Sequence, residues 1–441
     1  MSVLVLHRNP FAAFPYRRWL DGDAPGLGER TPYPGDVVVL AARDKILSAG
    51  EPLPSAADHD LTHLELFDTL DDPAVPSRAL ALAERHRVTH VIAHHEADIA
   101  LAARLRERLG LDGAWSADIA PFRDKALMKS LARRAGIEVA AHAVPPHAAE
   151  ARDFAARHGL PVVLKNREGY NSIGLTVVTD QDTLESQTAR AYRDGPRRDL
   201  LIEAYVPGRM CHVDGLVVDG RTVAAWPSQY QYDLASFGVD PGPRVDLTLD
   251  VDDPLTPRLL ALVERTLAAL KPAGSRLRTH AFHAEVFHTP DDRLVLCEIA
   301  CRSGGAKIRE VFEVLFGIRL AVHVTRAEAG LGLPEVHGAV DERGLLRPRG
   351  MSGQVLTMKR PGLVRSLPAV PDEEWVRGFW LFAEEGQVIA PASGSADFLT
   401  ATVGSAPTRA ECERRLRDLG ARVHAATKIV PVPEDRPADA S

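Results

Sequence analysis

In the first 115 residues, short apolar runs alternate with stretches of helical spacing. Residues 3–6 (VLVL), 36–42 (DVVVLAA) and 88–93 (VTHVIA) are apolar runs of strand length, while 78–86 (RALALAERH) and 98–110 (DIALAARLRERLG) repeat their apolar positions with a helical period. Strands alternating with helices predict a parallel α/β layer. The turn after the first strand, HRNPFAAFP, lacks the GxGxxG that lets backbone approach a pyrophosphate. A Rossmann-like layer is therefore expected without a dinucleotide site. His94, His95 and Glu96 follow the third strand, at the strand end where such layers place ligands. An exposed polar loop is the competing reading.

Further along, the pattern changes. Residues 121–136 form one helical unit with Asp124 as its cap and Gly136 as its end, which places Lys125 in the first turn. A cation there opposes the helix dipole, which a surface lysine tolerates and a functional one explains. A helix over 148–158 closes at Gly159. The buried strand PVVLK ends in Lys165, the glycine-bearing loop 166–174 (NREGYNSIG) follows, and residues 175–178 return as a strand. Such a loop can lay backbone N–H groups against phosphates, although most loops of this composition are only turns. Residues 200–206 (LLIEAYV) make a strand interrupted by Glu203, and 211–226 a hairpin turned at Asp219-Gly220. The stretch 227–243 reads as a substrate loop or a plain surface loop, 254–271 as a helix, and 306–330 as helical. Residues 338–350 read as a linker. Short strands at 354–360, 378–383, 387–392 and 398–404, a helix at 408–419 and a strand at 427–432 make a small α+β tail, with 433–441 frayed.

Composition narrows the function. The chain has 441 residues, a net charge of −7 and 45% hydrophobic residues, enough for two or three domains and without the basic surplus of a general nucleic-acid binder. Its four cysteines, Cys211, Cys297, Cys301 and Cys412, form no CxxC, so a reducing, cytoplasmic setting is expected. The opening residues do not read as a signal peptide and no run reaches membrane-spanning length, so neither membrane nor nucleic-acid partners are expected.

The stretch 283–305 (HAEVFHTPDDRLVLCEIACRSGG) carries the chemistry. It reads as a β-hairpin turned at 289–292, with Glu285 on one strand and Glu298 on the other. Alternation puts Glu285 on the face of His283 and Phe287, and Glu298 on the face of Leu296 and Ala300. Two adjacent carboxylates repel unless a cation lies between them. Solvent-facing strand glutamates are the ordinary alternative.

Taken in order, RDKALMKSLARRAGI, PVVLKNREGYNSIGLTVV, LIEAYVPGRMCHVDGLVVDG and the hairpin with its RSGG turn resemble the ATP-grasp superfamily over nearly the whole chain. Within it the chain is most similar to ADP-forming carboxylate–amine ligases such as L-amino-acid ligases (dipeptide synthetases) and carnosine synthases. The resemblance implies mixed α/β and α+β architecture: a Rossmann-like domain at 1–115, an ATP-grasp module of two α+β subdomains at 116–335 with its flap and hinge subdomain at about 140–208, and a small α+β domain at 336–441. It implies that Lys125 and Lys165 hold ATP phosphates and that Gly169, Ser172 and Gly174 belong to a flap over them. Glu203, Ala204, Tyr205 and Val206 then form the hinge at adenine, with His212 a candidate ribose contact. Glu285 and Glu298 hold Mg²⁺, with Mn²⁺ as an alternative ion, and Arg302 contacts the reacting carboxylate and acyl phosphate. Gln229, Tyr230, Tyr232, Gly304, Gly305 and Arg309 are candidates for the pocket of the small-molecule carboxylate and amine. A homodimer is the commonest assembly for such enzymes.

Two positions depart from the family pattern. Ala300 stands where many members carry a metal-binding asparagine, and Met210, with His212 and Asp214 close by, stands at the nearest place to where many carry a ribose-binding acidic residue. Competing functions on the same fold are a carboxylase or a formyl-phosphate or purine-type ligase. A degenerate, non-catalytic nucleotide-binding protein is the remaining one.

Overall fold

The computed structural model describes residues 1–232, 242–392, 394–395 and 397–432. Its first sheet is parallel, in the order His63–Phe67, Val37–Ala42, Val3–His7, His90–Ala93. Apolar side chains leave both faces of its central strands. Val3, Val5, Val37 and Val39 pack with Phe14, Tyr16 and Trp19 on one side, and Leu4, Leu6, Val38 and Leu40 pack with the helices Val75–Arg85 and Glu96–Leu109 on the other. Burial on both faces accounts for the unbroken apolar runs of the sequence.

A second sheet of four strands runs His142–Ala143, Leu200–Ala204, Val162–Asn166, Thr176–Val178, antiparallel throughout. The helices Ala148–His158 and Gln181–Ala191 supply Phe154, Ala155 and Leu184 to its core.

The central sheet has eight strands: Leu294–Ala300, His280–His288, Arg209–Val218, Arg221–Tyr230, Arg244–Thr248, Met351–Met358, Phe398–Ala406 and Val376–Leu381. The helices Lys125–Arg134 and Leu255–Leu270 cover one face, where Met128, Leu259, Leu262, Val213, Val286 and Leu296 meet. The helices Ile308–Phe316 and Leu320–Glu328 pack on the other face. Gly215 is required where Phe282 crosses from the next strand, since a β-carbon there would lie 2.4 Å from its ring.

Several elements differ from the sequence pattern. The single helical stretch expected at 306–330 is two helices, split at Gly317, which takes a left-handed φ of 70° as a helix-ending residue. The hairpin strand extends to Tyr230, so 227–230 is strand rather than loop, and residues 233–241 of the expected substrate loop lie outside the described residues. The strand Arg244–Thr248 was hidden because its alternating arginine and aspartate face inward. The strands at 354–360, 378–383 and 398–404, expected to belong to a small α+β tail, are found as Met351–Met358, Val376–Leu381 and Phe398–Ala406 and continue the central sheet. Among the described residues, Val388–Ile389, Gly362–Ser366 and Lys428–Val430 form a small sheet of their own. The expected frayed tail, 433–441, lies outside the described residues.

Candidate active site

Glu285 and Glu298 face each other directly across the hairpin. The register then shifts, Val286 pairing with Leu296, so Cys297 is an extra residue on its strand. This bulge corrects the simple alternation. Leu296 turns into the core beneath the sheet, while Glu298 and Cys297 both reach the open side with Glu285. Ligand atoms of Glu285, Cys297 and Glu298 lie within 4.8 Å of one another. Two carboxylates at this spacing offer the hard oxygen donors that suit a magnesium-like ion. Ala300, opposite His283, adds no side-chain donor.

Three lysines balance the carboxylates. Asp124 caps the helix Lys125–Arg134 by accepting from the backbone N–H of Ala126 and Leu127, and so fixes its first turn. Lys125 Nζ lies 3.3 Å from Glu298 Oε2. One turn on, the fully buried Lys129 lies 3.2 Å from Glu203 Oε1 and donates to the Cys297 carbonyl at 2.8 Å. Lys165, at the end of its strand, lies 2.9 Å from Glu203 Oε2. Burial pushes the Glu298 carboxyl up, but Lys125 and Lys165 outweigh it and hold the group down at about 2. Burial likewise opposes charge on Lys165, and Glu203 outweighs it, so Lys165 stays protonated. Among the charged residues lining the cavity between the central sheet and the second sheet, Lys125, Lys165 and Arg209 match Glu203, Glu285 and Glu298 in number, so a polyanion entering it would meet little net charge and would need cations brought with it.

Lys125, Lys165, Glu203, Glu285 and Glu298 line a cavity of 450 Å³ between the central sheet and the second sheet, with Lys129 buried behind its wall. Its apolar wall comes from Val163, Leu175, Val177, Met210 and Phe287. The segment Ala204, Tyr205 and Val206 forms its edge. Ala204 N and Tyr205 N are already bonded to Ala141 O and Pro161 O, at 2.9 and 3.2 Å. The loop 167–174 lies over the cavity through Gly169, Tyr170, Asn171, Ser172 and Ile173. Asn171, Ser172 and Gly174 all have positive φ. Lys125 Nζ donates to Gly169 O, and Arg167 pairs with Asp124, so the loop base is tied to the capped helix.

Of the residues singled out in the sequence, Lys125, Lys165, Gly169, Ser172, Glu203, Ala204, Tyr205, Val206, Tyr230, Tyr232, Glu285 and Glu298 line this cavity. Gly174, His212, Gln229, Arg302, Gly304, Gly305 and Arg309 do not. His212 is fully buried between Asp214 (2.6 Å) and Asp246 (3.0 Å), beneath the Tyr230 ring, and has no surface to give a ribose. Gln229 points to the opposite face of its strand, onto Cys211 and Arg409. Arg309 lies over the Phe14 ring at 5.0 Å. Glu203 turns its carboxylate to the two lysines rather than along the cavity edge. Arg302 is bound to Glu96 and to Ser303 O, and a β-carbon on Gly304 would lie 2.8 Å from Asp214, so the RSGG turn rests directly on the sheet.

Sequence reasoning missed Lys129, whose signal was its spacing four residues after Lys125 on one helix face. It also missed the buried network His212–Asp214–His283, whose signal was the two-residue spacing of His212 and Asp214 on a strand opposite His283.

No family model matches the chain. It is similar to a D-alanine–D-alanine ligase of Mycobacterium bovis, 31% identical over 165 residues, which are 34% of this chain and 44% of that protein. A D-alanine–D-alanine ligase of Streptomyces coelicolor is 27% identical over 246 residues, 52% of this chain and 58% of that protein. The chain thus spans about half the length of the curated relatives it matches. Among solved structures, the L-amino acid ligase of Bacillus licheniformis superposes with a TM-score of 0.71 at 16% identity, covering 98% of this chain and 99% of that one. The biotin carboxylase domain of Hydrogenobacter thermophilus 2-oxoglutarate carboxylase, solved with MgADP and bicarbonate, gives 0.67 at 18% identity, covering 97% and 90%.

Proposed function

Because the chain belongs to the ATP-grasp superfamily, we propose that it is an ATP- and Mg²⁺-dependent ligase joining a small-molecule carboxylate, an amino acid, to the amine of an amino acid or peptide, with release of ADP and phosphate. The observation that carries this reading is the convergence, in one cavity, of Glu285 and Glu298 with Lys125 and Lys165 beneath the loop 167–174.

In this reading Val163, Leu175, Val177, Met210 and Phe287 receive the adenine ring, with the Val206 backbone at its edge. Lys125 and Lys165 bind phosphate oxygens as point charges. Glu285 and Glu298 hold Mg²⁺, which when bound neutralises charge on the transferring phosphoryl group. The substrate carboxylate attacks the γ-phosphorus, the bond to ADP breaks, and an acyl phosphate forms. The amine then adds to the acyl carbon and phosphate leaves. Phosphoryl transfer asks the protein for positioning and charge neutralisation, so no side-chain nucleophile is needed. Arg302 offers a planar fork to the carboxylate and then to the acyl phosphate. The loop 167–174 excludes water from that intermediate. The reading keeps the division into 1–115, 116–335 and 336–441, a cytoplasmic setting and a homodimer.

The test is a matrix of amino-acid pairs assayed for ADP release, with products identified by mass, beside a bicarbonate arm. ADP release that requires both a carboxylate and an amine supports the ligase. Release with bicarbonate alone overturns it in favour of a carboxylase.

A further inference from the structure

Glu96, at the end of the parallel sheet, takes no part in the cavity, yet its carboxylate joins three distant segments of the chain. It is the first residue of the helix Glu96–Leu109 and is 6% exposed. Oε2 accepts from Arg302 Nε, beside the RSGG turn. Oε1 accepts from Arg123 Nη1, at the last turn of the helix Ser116–Arg123. Arg123 Nη2 in turn donates to Glu168 O, at the base of the loop over the cavity, at 2.7 Å. The neighbouring His95 ring meets Tyr170 of the same loop edge-on, with centroids 5.4 Å apart.

We propose that Glu96 is a positioning residue that sets Arg302 and the loop 167–174 together, so that the arginine at the reacting carboxylate and the cover over the phosphates share one anchor. This rests on the role given to Arg302 above. A buried charge triad of this kind is weak evidence for stability, because desolvation offsets its attraction, and its best-attested use is to fix one arrangement over others. The geometry suits that use. One carboxylate oxygen fixes the Arg302 Nε edge, Nη1 is held by Ser303 O at 2.8 Å, and among the described residues Nη2 has no hydrogen-bond partner. An arginine held on one edge with another N–H left over is pre-organised for an incoming oxyanion. The other carboxylate oxygen reaches the loop base through Arg123. Loss of Glu96 therefore loosens both ends, and loss of Arg123 loosens the loop alone, whose base keeps its ties to the capped helix through Lys125 and Arg167.

The first experiment is a double-mutant cycle on ADP release. Glu96→Gln should lower kcat about 10–100-fold, the usual cost of removing a group that orients a functional side chain, with the KM for ATP changed less than about 2-fold. In an Arg302→Lys background the same change should cost little more, because both act through one guanidinium. Unchanged kcat, or costs that multiply, overturns the proposal. The second experiment needs no acceptor and so stands apart from the ligase reading: hydrogen exchange with MgADP bound. Peptides covering 167–174 and 302–307 should both exchange several-fold faster in Glu96→Gln, and only 167–174 in Arg123→Met. Unchanged exchange at 302–307 in Glu96→Gln overturns the coupling. Should that variant not fold, unchanged exchange at 167–174 in Arg123→Met does so.

Discussion

Glu285 and Glu298 are paired across two neighbouring strands, and the extra residue at Cys297 is what turns Glu298 to the open face while Leu296 stays in the core. Without the bulge, strand alternation would send Glu298 to the same side as Leu296 and separate the carboxylates.

Glu298→Gln keeps the shape of the side chain and removes its charge. Loss of an ion ligand at a phosphoryl-transfer site costs several kcal/mol of charge stabilisation, so kcat for ADP release should fall on the order of 10³-fold. The folded state loses the attraction of both Lys125 and Lys165, which hold the Glu298 carboxyl down, so its Tm should fall at neutral pH while the protein remains folded. Turnover retained in saturating Mg²⁺ would remove Glu298 from the metal site.

Lys165 pairs with Glu203 and, in the proposed function, also binds phosphate; two variants separate these roles. Lys165→Met strips Glu203 of one of its two partners in a buried setting, which should cost about 3 kcal/mol in urea unfolding. Adding Glu203→Gln removes the stranded charge and should recover much of that loss. Under the proposed function, nucleotide affinity should stay low in both proteins, because the phosphate contact would be gone in both. Recovery of affinity in the double variant would show that Lys165 acts only as a structural counter-ion.

The network beneath Tyr230 predicts a pH dependence. Burial disfavours charge on His212, but Asp246 and Asp214 outweigh it and raise its pKa from 6.5 to about 10. For His283, burial is outweighed by Asp214, to about 9. A pKa raised by folding means that the folded state binds the proton more tightly. The stabilisation is complete below pH 6.5 and is lost as pH rises through about 9 to 10. The Tm of the native chain should fall over that window, and His212→Gln should flatten the fall. Equal slopes in the two proteins would contradict a charged His212.

Much of this was legible in the sequence, for reasons that differ by element. The parallel sheet announced itself because strands buried on both faces must be apolar throughout. Asp124 and Gly136 marked one helix because capping chemistry is local. Glu285, Glu298, Lys125 and Lys165 each looked ordinary alone, and their order along the chain connected them to one family. What stayed hidden was non-local. The bulge at Cys297 leaves no mark in composition. The strand Arg244–Thr248 turns Asp246 inward, a charge that its partners His212 and Gln354 make sense of. Arg302 could be placed by resemblance, but its tie to Glu96 spans 206 positions and arises only when the parallel sheet docks on the RSGG turn.

The acyl phosphate is tested most directly by isotope transfer. In the proposed reaction, an amino acid labelled with ¹⁸O in its carboxylate, incubated with ATP, Mg²⁺ and an acceptor amine, would pass one oxygen to the γ-phosphorus when it attacks, and that oxygen would leave with the phosphate. Mass analysis of the released phosphate should find one ¹⁸O, with ADP as the nucleotide product. Phosphate free of label, or AMP with pyrophosphate, would contradict carboxylate activation through an acyl phosphate at this site.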